Sequence, residues 1–257
     1  MRACLLLLFS CAAADLAEDE ALITNEWQNA DAALRHVFAG GSAYGKAYAA
    51  YGGLVRAFED VVVASEPAES WRGAAVVDIG CGAAWLGVWA LSSGARSYVG
   101  VDASAASLVA ARATLNGAGF VEGALYDLRS AEAARAAGYR GSDIVVALKV
   151  MQHFPSVAYA AAWLRSVAEA GAGRVVVSFA EATSGGVECL PAWTGGRAFN
   201  GARCFFTASY LGAALRPFGY DLAWSTTAGD PVTHRGGRPW VNVYAGFHLA
   251  DGGLRRP

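Results

Sequence analysis

Short apolar runs alternate with helical patterns through the middle of the chain. Four runs are apolar throughout and rich in β-branched residues, which predicts strands at Ala74–Ile79, Ser97–Val101, Ser142–Leu148 and Arg174–Phe179. Segments with three- and four-residue apolar spacing separate these runs and predict helices at 83–93, 104–115 and 156–170. Apolar rather than alternating strands are typical of a parallel sheet that is covered on both faces, so the pattern predicts a doubly wound α/β fold.

Both ends of the chain depart from this alternation. Residues 207–215 predict a helix, and the runs 220–226 and 240–249 predict two strands joined only by a short loop, hence an antiparallel hairpin. Residues 26–64 have helical spacing and predict a helical preface. The expected fold is a single doubly wound, mostly parallel seven-stranded sheet with an antiparallel C-terminal hairpin and an N-terminal helical preface. The expected domains are an N-terminal helical cap at 15–70 and one α/β domain at 71–257.

The first fourteen residues have the pattern of a signal peptide. Arg2 gives a positive start, an apolar run with four leucines follows, and Ala12 to Ala14 supply small residues for cleavage after Ala14. This pattern predicts the secretory pathway or secretion; an organelle transit peptide, a misassigned start codon and a cytoplasmic protein remain alternatives. The apolar run is too short to span a bilayer, so no integral membrane segment is expected.

Composition and charge limit the classes of partner and site. The 257 residues are 55% hydrophobic, enough for one core, and the net charge of −2 with scattered arginines makes nucleic acid an unexpected partner. Cleavage would leave Cys81, Cys189 and Cys204, of which the last two could pair in an oxidising compartment. No cysteine or histidine spacing suggests a metal site.

A glycine loop follows the first predicted strand and leads into a helix. The stretch Asp78-Ile79-Gly80-Cys81-Gly82-Ala83-Ala84 would point backbone N–H groups at a bound ligand. A dinucleotide fingerprint that begins at Gly80 requires glycine at position 85, where Trp85 stands, so NAD and FAD are disfavoured. No Gly-Lys-Ser/Thr follows, which excludes a P-loop.

The loop resembles motif I of the class I S-adenosylmethionine-dependent methyltransferases, D/E-x-G-x-G-x-G, with Ala84 at the third glycine. An alanine there is expected to need only a right-handed backbone. Three further stretches are similar to family motifs at the family's spacing: 98–102, 124–128 and 143–154. The resemblance implies S-adenosylmethionine as the cofactor. It also implies cofactor contacts at Asp78, Gly80, Cys81, Gly82, Asp102, Ala103, Asp127, Leu128 and Lys149.

The acidic residues have specific expected roles. Asp102 can accept hydrogen bonds from both ribose hydroxyls, with a cap on the helix near Ser104 as the alternative. Asp127 would face the adenine amine, or else cap a helix, and Asp78 would hold the loop or the amino group of the methionine moiety. Cys81 is interpreted as loop packing rather than as a nucleophile.

His153 is the leading candidate for a catalytic base, because it follows the fourth strand at the cofactor edge. A structural histidine is the alternative, and Glu181 is the next candidate. Lys149 and Gln152 share the loop of His153 and could shape the pocket. The long segment 183–206 is expected to roof the substrate with Trp193, Phe199, Phe205 and Phe206, or to be a surface insertion.

These features together predict a methyltransferase that acts on a small organic acceptor. The alternative is a methyltransferase-like binding protein without catalysis. The methylated atom (oxygen, nitrogen, sulfur or carbon) and the oligomeric state stay open.

Overall fold

The computed structural model describes residues 59–66, 68–117, 124–127, 143–169, 171–183, 186–189, 204–232 and 240–250. Its strands are β1 (Ala75–Ile79), β2 (Ser97–Asp102), β3 (Ala124–Asp127), β4 (Ile144–Ala147), β5 (Arg174–Ala182), β6 (Glu188–Cys189), β7 (Cys204–Phe205), β8 (Tyr220–Val232) and β9 (Trp240–Leu249). Its α-helices are α1 (Trp85–Ser92), α2 (Ala105–Gly117), α3 (Val157–Glu169) and α4 (Ala208–Leu215). Short helical turns lie at Glu59–Val63, Ala68–Trp71, Met151–His153 and Arg216–Phe218.

The sheet has the predicted doubly wound, mostly parallel arrangement. Five parallel strands lie in the order β3-β2-β1-β4-β5, β9 runs antiparallel along the whole of β5, and β8 pairs with β9. The strand order reverses between β1 and β4. In open α/β sheets, ligands bind in the crevice outside the carboxyl ends of the strands at such a reversal.

A pair of two-residue strands, β6 and β7, extends this sheet and was not predicted from the sequence. β7 pairs with β5 at Ala180, whereas β4 pairs with β5 only as far as Val177. Since β9 occupies the other side of β5, β7 lies on the side of β4, beyond its carboxyl end. β6 pairs with β7, and a disulfide joins Cys189 to Cys204. The hairpin therefore stands at the edge where the predicted site lies.

Two large apolar clusters cover the two faces of the sheet. One contains α3, α4 and the core of β5, and the other contains Trp71, α1 and residues of β1 and β4. A small third cluster at the carboxyl edge consists of Ala180, Ala182, Phe205 and Trp240. Phe205 and Phe206 are fully buried in these clusters, which corrects the expectation that they line a substrate pocket. Trp193 and Phe199 lie outside the described residues.

The buried carboxylate of Glu66 links the N-terminal part of the described chain to β5, β8 and β9. Glu66 accepts hydrogen bonds from Arg174 (3.0 Å) and Trp224 (2.9 Å), and its carboxylate lies 2.7 Å from Nε2 of His248. Burial raises the pKa of Glu66, but the hydrogen bonds from His248 and Trp224 and the charge of Arg174 outweigh it, so the net pKa is lowered. Gly246 is required here, because a Cβ atom would lie 2.3 Å from Nε1 of Trp224.

Two expectations, the leader and the N-terminal cap, concern residues that lie wholly or mostly outside the described ranges. The leader at 1–14 and most of the cap at 15–70 lie outside the described residues. Within the ranges that the structure describes, no helix combines the length and the apolar character needed to cross a bilayer.

Candidate functional site

The glycine loop lies across the carboxyl end of β2. The N–H groups of Gly80 and Cys81 both donate to the carbonyl of Val101, at 2.7 and 3.0 Å. Gly80 and Gly82 have φ values of 66° and 52°, in the left-handed region that favours glycine. A Cβ atom on Gly80 would lie 2.3 Å from Cγ2 of Val150, so glycine is also required for space.

Ala84 departs from the expected conformation. It has φ 58° and ψ 34°, which is left-handed rather than right-handed, and the helix begins after it at Trp85 instead of at Ala83. The third motif position therefore has the conformation that glycine adopts without strain, and a Cβ atom makes it unfavourable. The fully buried side chain of Ala84 is held in place by the packing around it.

Asp102 joins the glycine loop to the end of β2. Its Oδ2 accepts a hydrogen bond from the N–H of Gly82 and its Oδ1 accepts one from the N–H of Ser104, both at 2.9 Å. Asp102 orders the turn before α2 and is not its cap, because Oγ of Ser104 itself accepts from the N–H of Ser107 at 3.1 Å. The ribose contact of Asp102 stays a prediction.

The remaining residues at this edge follow the strand register. Asp127 stands opposite Asp102 at the end of β3, the position from which it was predicted to reach the adenine amine. Ala103 follows β2 between Asp102 and Ser104, and Leu128 lies outside the described residues. The cofactor contacts of these residues stay predictions.

Asp78 is buried and accepts a hydrogen bond from the hydroxyl of Tyr98 at 2.9 Å. Burial raises the pKa of Asp78 to about 7; the Tyr98 hydrogen bond opposes this shift and the charge of Asp102 adds to it. Burial also raises the pKa of the Cys81 thiol, as expected for a packing role rather than a nucleophile. The sequence analysis missed Tyr98, although a tyrosine inside an apolar strand is a signal for a buried hydrogen bond.

Lys149 takes an unusual conformation at the end of β4. Its φ is 62°, and its N–H donates to Oγ of Ser178 on β5 at 2.7 Å. Its ammonium donates to Oδ1 of Asn242 on β9 and lies 6.0 Å from the ring centroid of Tyr244. Burial lowers the pKa of Lys149 to about 8. The sequence analysis missed Ser178 and Asn242, whose signal is a polar residue in an otherwise apolar strand.

His153 ends the short helical turn that follows Lys149. Its Nε2 lies 3.3 Å from Nε2 of Gln152, and burial and then the charge of Lys149 lower its pKa to about 4. Glu181 lies on the opposite face of β5 from Ser178, and burial raises its pKa. The structure therefore brings His153 near Lys149 and separates Glu181 from the face of the Lys149 side chain. Among the described residues, no cluster of three or more potential metal ligands occurs.

Comparison with known proteins agrees with this geometry. Residues 77–174 match the family model of a methyltransferase domain. No curated protein sequence matches the chain significantly.

Solved structures share the fold. A magnesium protoporphyrin IX methyltransferase from Synechocystis PCC 6803, with bound S-adenosylmethionine, has a TM-score of 0.61 at 17% identity and aligns over 88% of this chain and 96% of its own. A methyltransferase dependent on S-adenosylmethionine from Mesorhizobium loti has a TM-score of 0.52 at 19% identity, over 75% and 97%. The cyclase SpnF has a TM-score of 0.50 at 12% identity, over 69% and 74%.

At these identities the solved structures bear on the fold, which they share with the sheet described above. The family model covers the glycine loop, β2 and the strand-four motif, which are the elements that build the site. The motifs, the strand order and the family match agree: residues 77–174 match a methyltransferase domain, and the fold is that of solved S-adenosylmethionine-dependent methyltransferases.

Proposed function

We propose that the chain transfers a methyl group from S-adenosylmethionine to a small organic acceptor at the carboxyl edge of β1, β2 and β4. The observation that carries this proposal is the glycine loop, which has left-handed positions at Gly80, Gly82 and Ala84. A hydrogen bond from Gly82 to Asp102 holds this loop at the point where the strand order reverses. A side chain at Gly80 would clash with Val150 and displace the loop.

The residues of this edge fit the cofactor. Asp102 at the end of β2 would bind the ribose hydroxyls, and Asp127 at the end of β3 would receive the adenine amine. Asp78 would act through Tyr98 and the loop rather than by direct contact, because it is buried and already hydrogen-bonded. Bound there, S-adenosylmethionine would supply a methyl group on a positively charged sulfur, which needs alignment more than covalent help from the protein.

His153 is proposed to accept the proton that an acceptor hydroxyl or amine gives up. Its pKa of about 4 keeps the imidazole neutral at physiological pH, so it is ready to accept a proton, although it is a weak base. Glu181 is the second candidate, and its position on the other face of β5 makes it the weaker one.

An acceptor of small size is supported by the β6–β7 hairpin. Because β7 lies beyond the end of β4, the segment 183–206 begins and ends at the edge that holds Lys149 and His153. The roof expected for this segment would suit a small molecule better than a polynucleotide, and most of the segment lies outside the described residues. The net charge of −2 provides no general attraction for nucleic acid.

The second candidate function is a methyltransferase-like binding protein. The low pKa of His153 favours it, since a weak base gives less general-base catalysis. Transfer of labelled methyl groups to a panel of small phenols, carboxylates and amines, together with titration by S-adenosylhomocysteine, separates the two. Binding with transfer supports the enzyme, binding without transfer supports the second candidate, and the absence of binding contradicts both.

An oxidising compartment is proposed as the location. The leader pattern at 1–14 and the Cys189–Cys204 disulfide support it from independent parts of the chain.

A further inference from the structure

Lys149 is a half-buried cation with only a neutral partner. Its ammonium donates to Asn242, and none of the described carboxylates forms an ion pair with it. A charged amine that has lost part of its water and has gained no opposite charge is stabilised by any anion that enters. Such a group at a ligand-binding edge indicates a subsite for an anion.

The direction of the side chain separates this subsite from the glycine loop. From the end of β4, Lys149 reaches over β5 to Asn242 on β9. The strand order β1-β4-β5-β9 places β9 three strand spacings from β1, or about 14 Å at about 4.8 Å per spacing. The ammonium therefore points away from the predicted ribose and adenine contacts at the ends of β2 and β3 and toward the acceptor side.

The surroundings of Asn242 match an acid with an apolar body. Asn242 stands opposite Ala180 in the register, and Trp240 stands opposite Ala182 on the same face. Ala180, Ala182 and Trp240 form the small apolar cluster at the carboxyl edge together with Phe205, and Trp240 is its most exposed member. Lysine can only donate hydrogen bonds, so Oδ1 of Asn242 faces it and the amide NH₂ remains as a second donor.

The backbone of Lys149 points to function as well. Glycine would adopt a φ of 62° without strain, whereas lysine is held there by the bond from its N–H to Ser178. Strained backbone positions of this kind cluster at functional sites.

We propose that Lys149 and Asn242 bind a carboxylate of the methyl acceptor, with Trp240 beside its carbon skeleton. This inference rests on the proposed methyl transfer and adds the acceptor class, an organic acid. A carboxylate is also present in the methionine part of the cofactor, so the experiment must separate the two sources.

The test uses full-length protein saturated with S-adenosylhomocysteine and three acids with their amides: benzoate, 4-hydroxybenzoate and phenylacetate. Calorimetric titration should show that at least one acid binds tenfold or more tightly than its amide. Lys149→Met should weaken the binding of that acid by about 10- to 100-fold, as expected for loss of a hydrogen bond to a charged group. Lys149→Arg should keep most of the preference for the acid over its amide. Asn242→Asp places a carboxylate beside the ammonium and should also abolish the preference.

The cofactor arm compares S-adenosylhomocysteine with 5′-methylthioadenosine, which lacks the amino-acid part. Unchanged affinity of Lys149→Met for both supports the acceptor assignment. If the variant binds S-adenosylhomocysteine more weakly but binds 5′-methylthioadenosine as before, Lys149 contacts the carboxylate of the cofactor, and the acceptor assignment is overturned. No preference for acids in wild-type protein that binds S-adenosylhomocysteine also overturns it but leaves the proposed function intact, whereas failure to bind S-adenosylhomocysteine contradicts the proposed function itself.

Discussion

Asp102 and Gly82 are twenty residues apart in the chain and are joined by a hydrogen bond of 2.9 Å, from the N–H of Gly82 to Oδ2 of Asp102. The second oxygen of Asp102 accepts from Ser104, at the start of the chain that leads into α2. One carboxylate thus orders the loop after β1 and the turn after β2. A ligand that contacts Asp102 contacts a loop that is already organised, which lowers the entropy lost on binding.

Asp102→Ala is expected to weaken binding of S-adenosylhomocysteine by about 1–3 kcal/mol, because ribose hydroxyls and two backbone N–H groups lose their acceptor. Calorimetric titration measures this. Asp143→Ala is the matched control: Asp143 also accepts a backbone N–H, from Ala75, but at the opposite edge of the sheet. The control should lose stability and keep its cofactor affinity; equal losses of affinity in the two folded variants would contradict the role of Asp102.

Ala84→Gly is expected to stabilise the protein by about 0.5–1 kcal/mol, because glycine adopts φ 58° without strain. Chemical denaturation measures the free energy of unfolding. Ala83→Gly, next to it and without a positive φ, should be neutral or destabilising. A loss of stability in Ala84→Gly as large as that in Ala83→Gly would show that packing of the Ala84 methyl outweighs the backbone strain.

Asp78 should make stability fall as the pH rises. Its folded pKa of about 7 lies above the ordinary aspartate value of 3.8, so between these values the folded protein holds a proton that the unfolded chain has lost. The stabilising contribution is complete below about pH 4 and is lost by about pH 7. Asp78→Asn keeps an acceptor for Tyr98 and cannot ionise.

The free energy of unfolding of Asp78→Asn, relative to wild type, should therefore grow between pH 4 and pH 8. Denaturation curves at several pH values measure this difference. Tyr98→Phe removes a bond that opposes the pKa shift, so it should move the midpoint to higher pH. Parallel curves for wild type and Asp78→Asn would mean that Asp78 is ionised in the folded state at all these pH values.

His153→Ala should lower turnover by about 10²–10⁴-fold, the usual scale of general-base catalysis, and leave the affinity for S-adenosylhomocysteine unchanged. Since the pKa of His153 is about 4, the wild-type contribution of this group should stay constant down to about pH 5 and decline below it. Full turnover in the variant would assign His153 a structural role. In that case Glu181→Gln is the next substitution to measure.

Protein secreted by a eukaryotic host should begin at Asp15 and carry the Cys189–Cys204 bond. Under denaturing conditions one cysteine, Cys81, should react with an alkylating reagent before reduction and three should react after it. Mass spectrometry reads both the N-terminus and the labels. An intact Met1 on cytosolic protein with free Cys189 and Cys204 would contradict the secretory proposal.

Most of the parallel part of the fold was predictable because β1, β2, β4 and β5 are mainly apolar and do not alternate with polar residues. β1, β2, β4, β5 and β9 lie within a few residues of their predicted bounds, whereas β8 continues to Val232, beyond its predicted end at 226. β6 and β7 have two residues each, too few for any apolar period to appear. Their place in the sheet depends on the pairing of Phe205 with Ala180, which is a tertiary contact.

The site was predictable where it follows a strand end and less so where it depends on conformation. Asp102 was located from its position after β2, and its bond to Gly82 needed the register of β1 against β2. The left-handed backbone of Ala84 and Lys149 has no signal in the residue types, since neither is a residue that favours it. The reach of Lys149 to Asn242 joins positions 93 residues apart, which only the folded sheet brings together.

The disulfide at the base of the β6–β7 hairpin has a practical consequence for redesign. The Cα atoms of Cys189 and Cys204 are 4.1 Å apart, and both residues are fixed to the sheet through β7 and β5. A peptide of different length or composition placed between them would start and finish at the same two anchored positions. The stretch between these cysteines is therefore a natural place for a library that seeks new acceptors, because its exchange leaves the register of the sheet untouched.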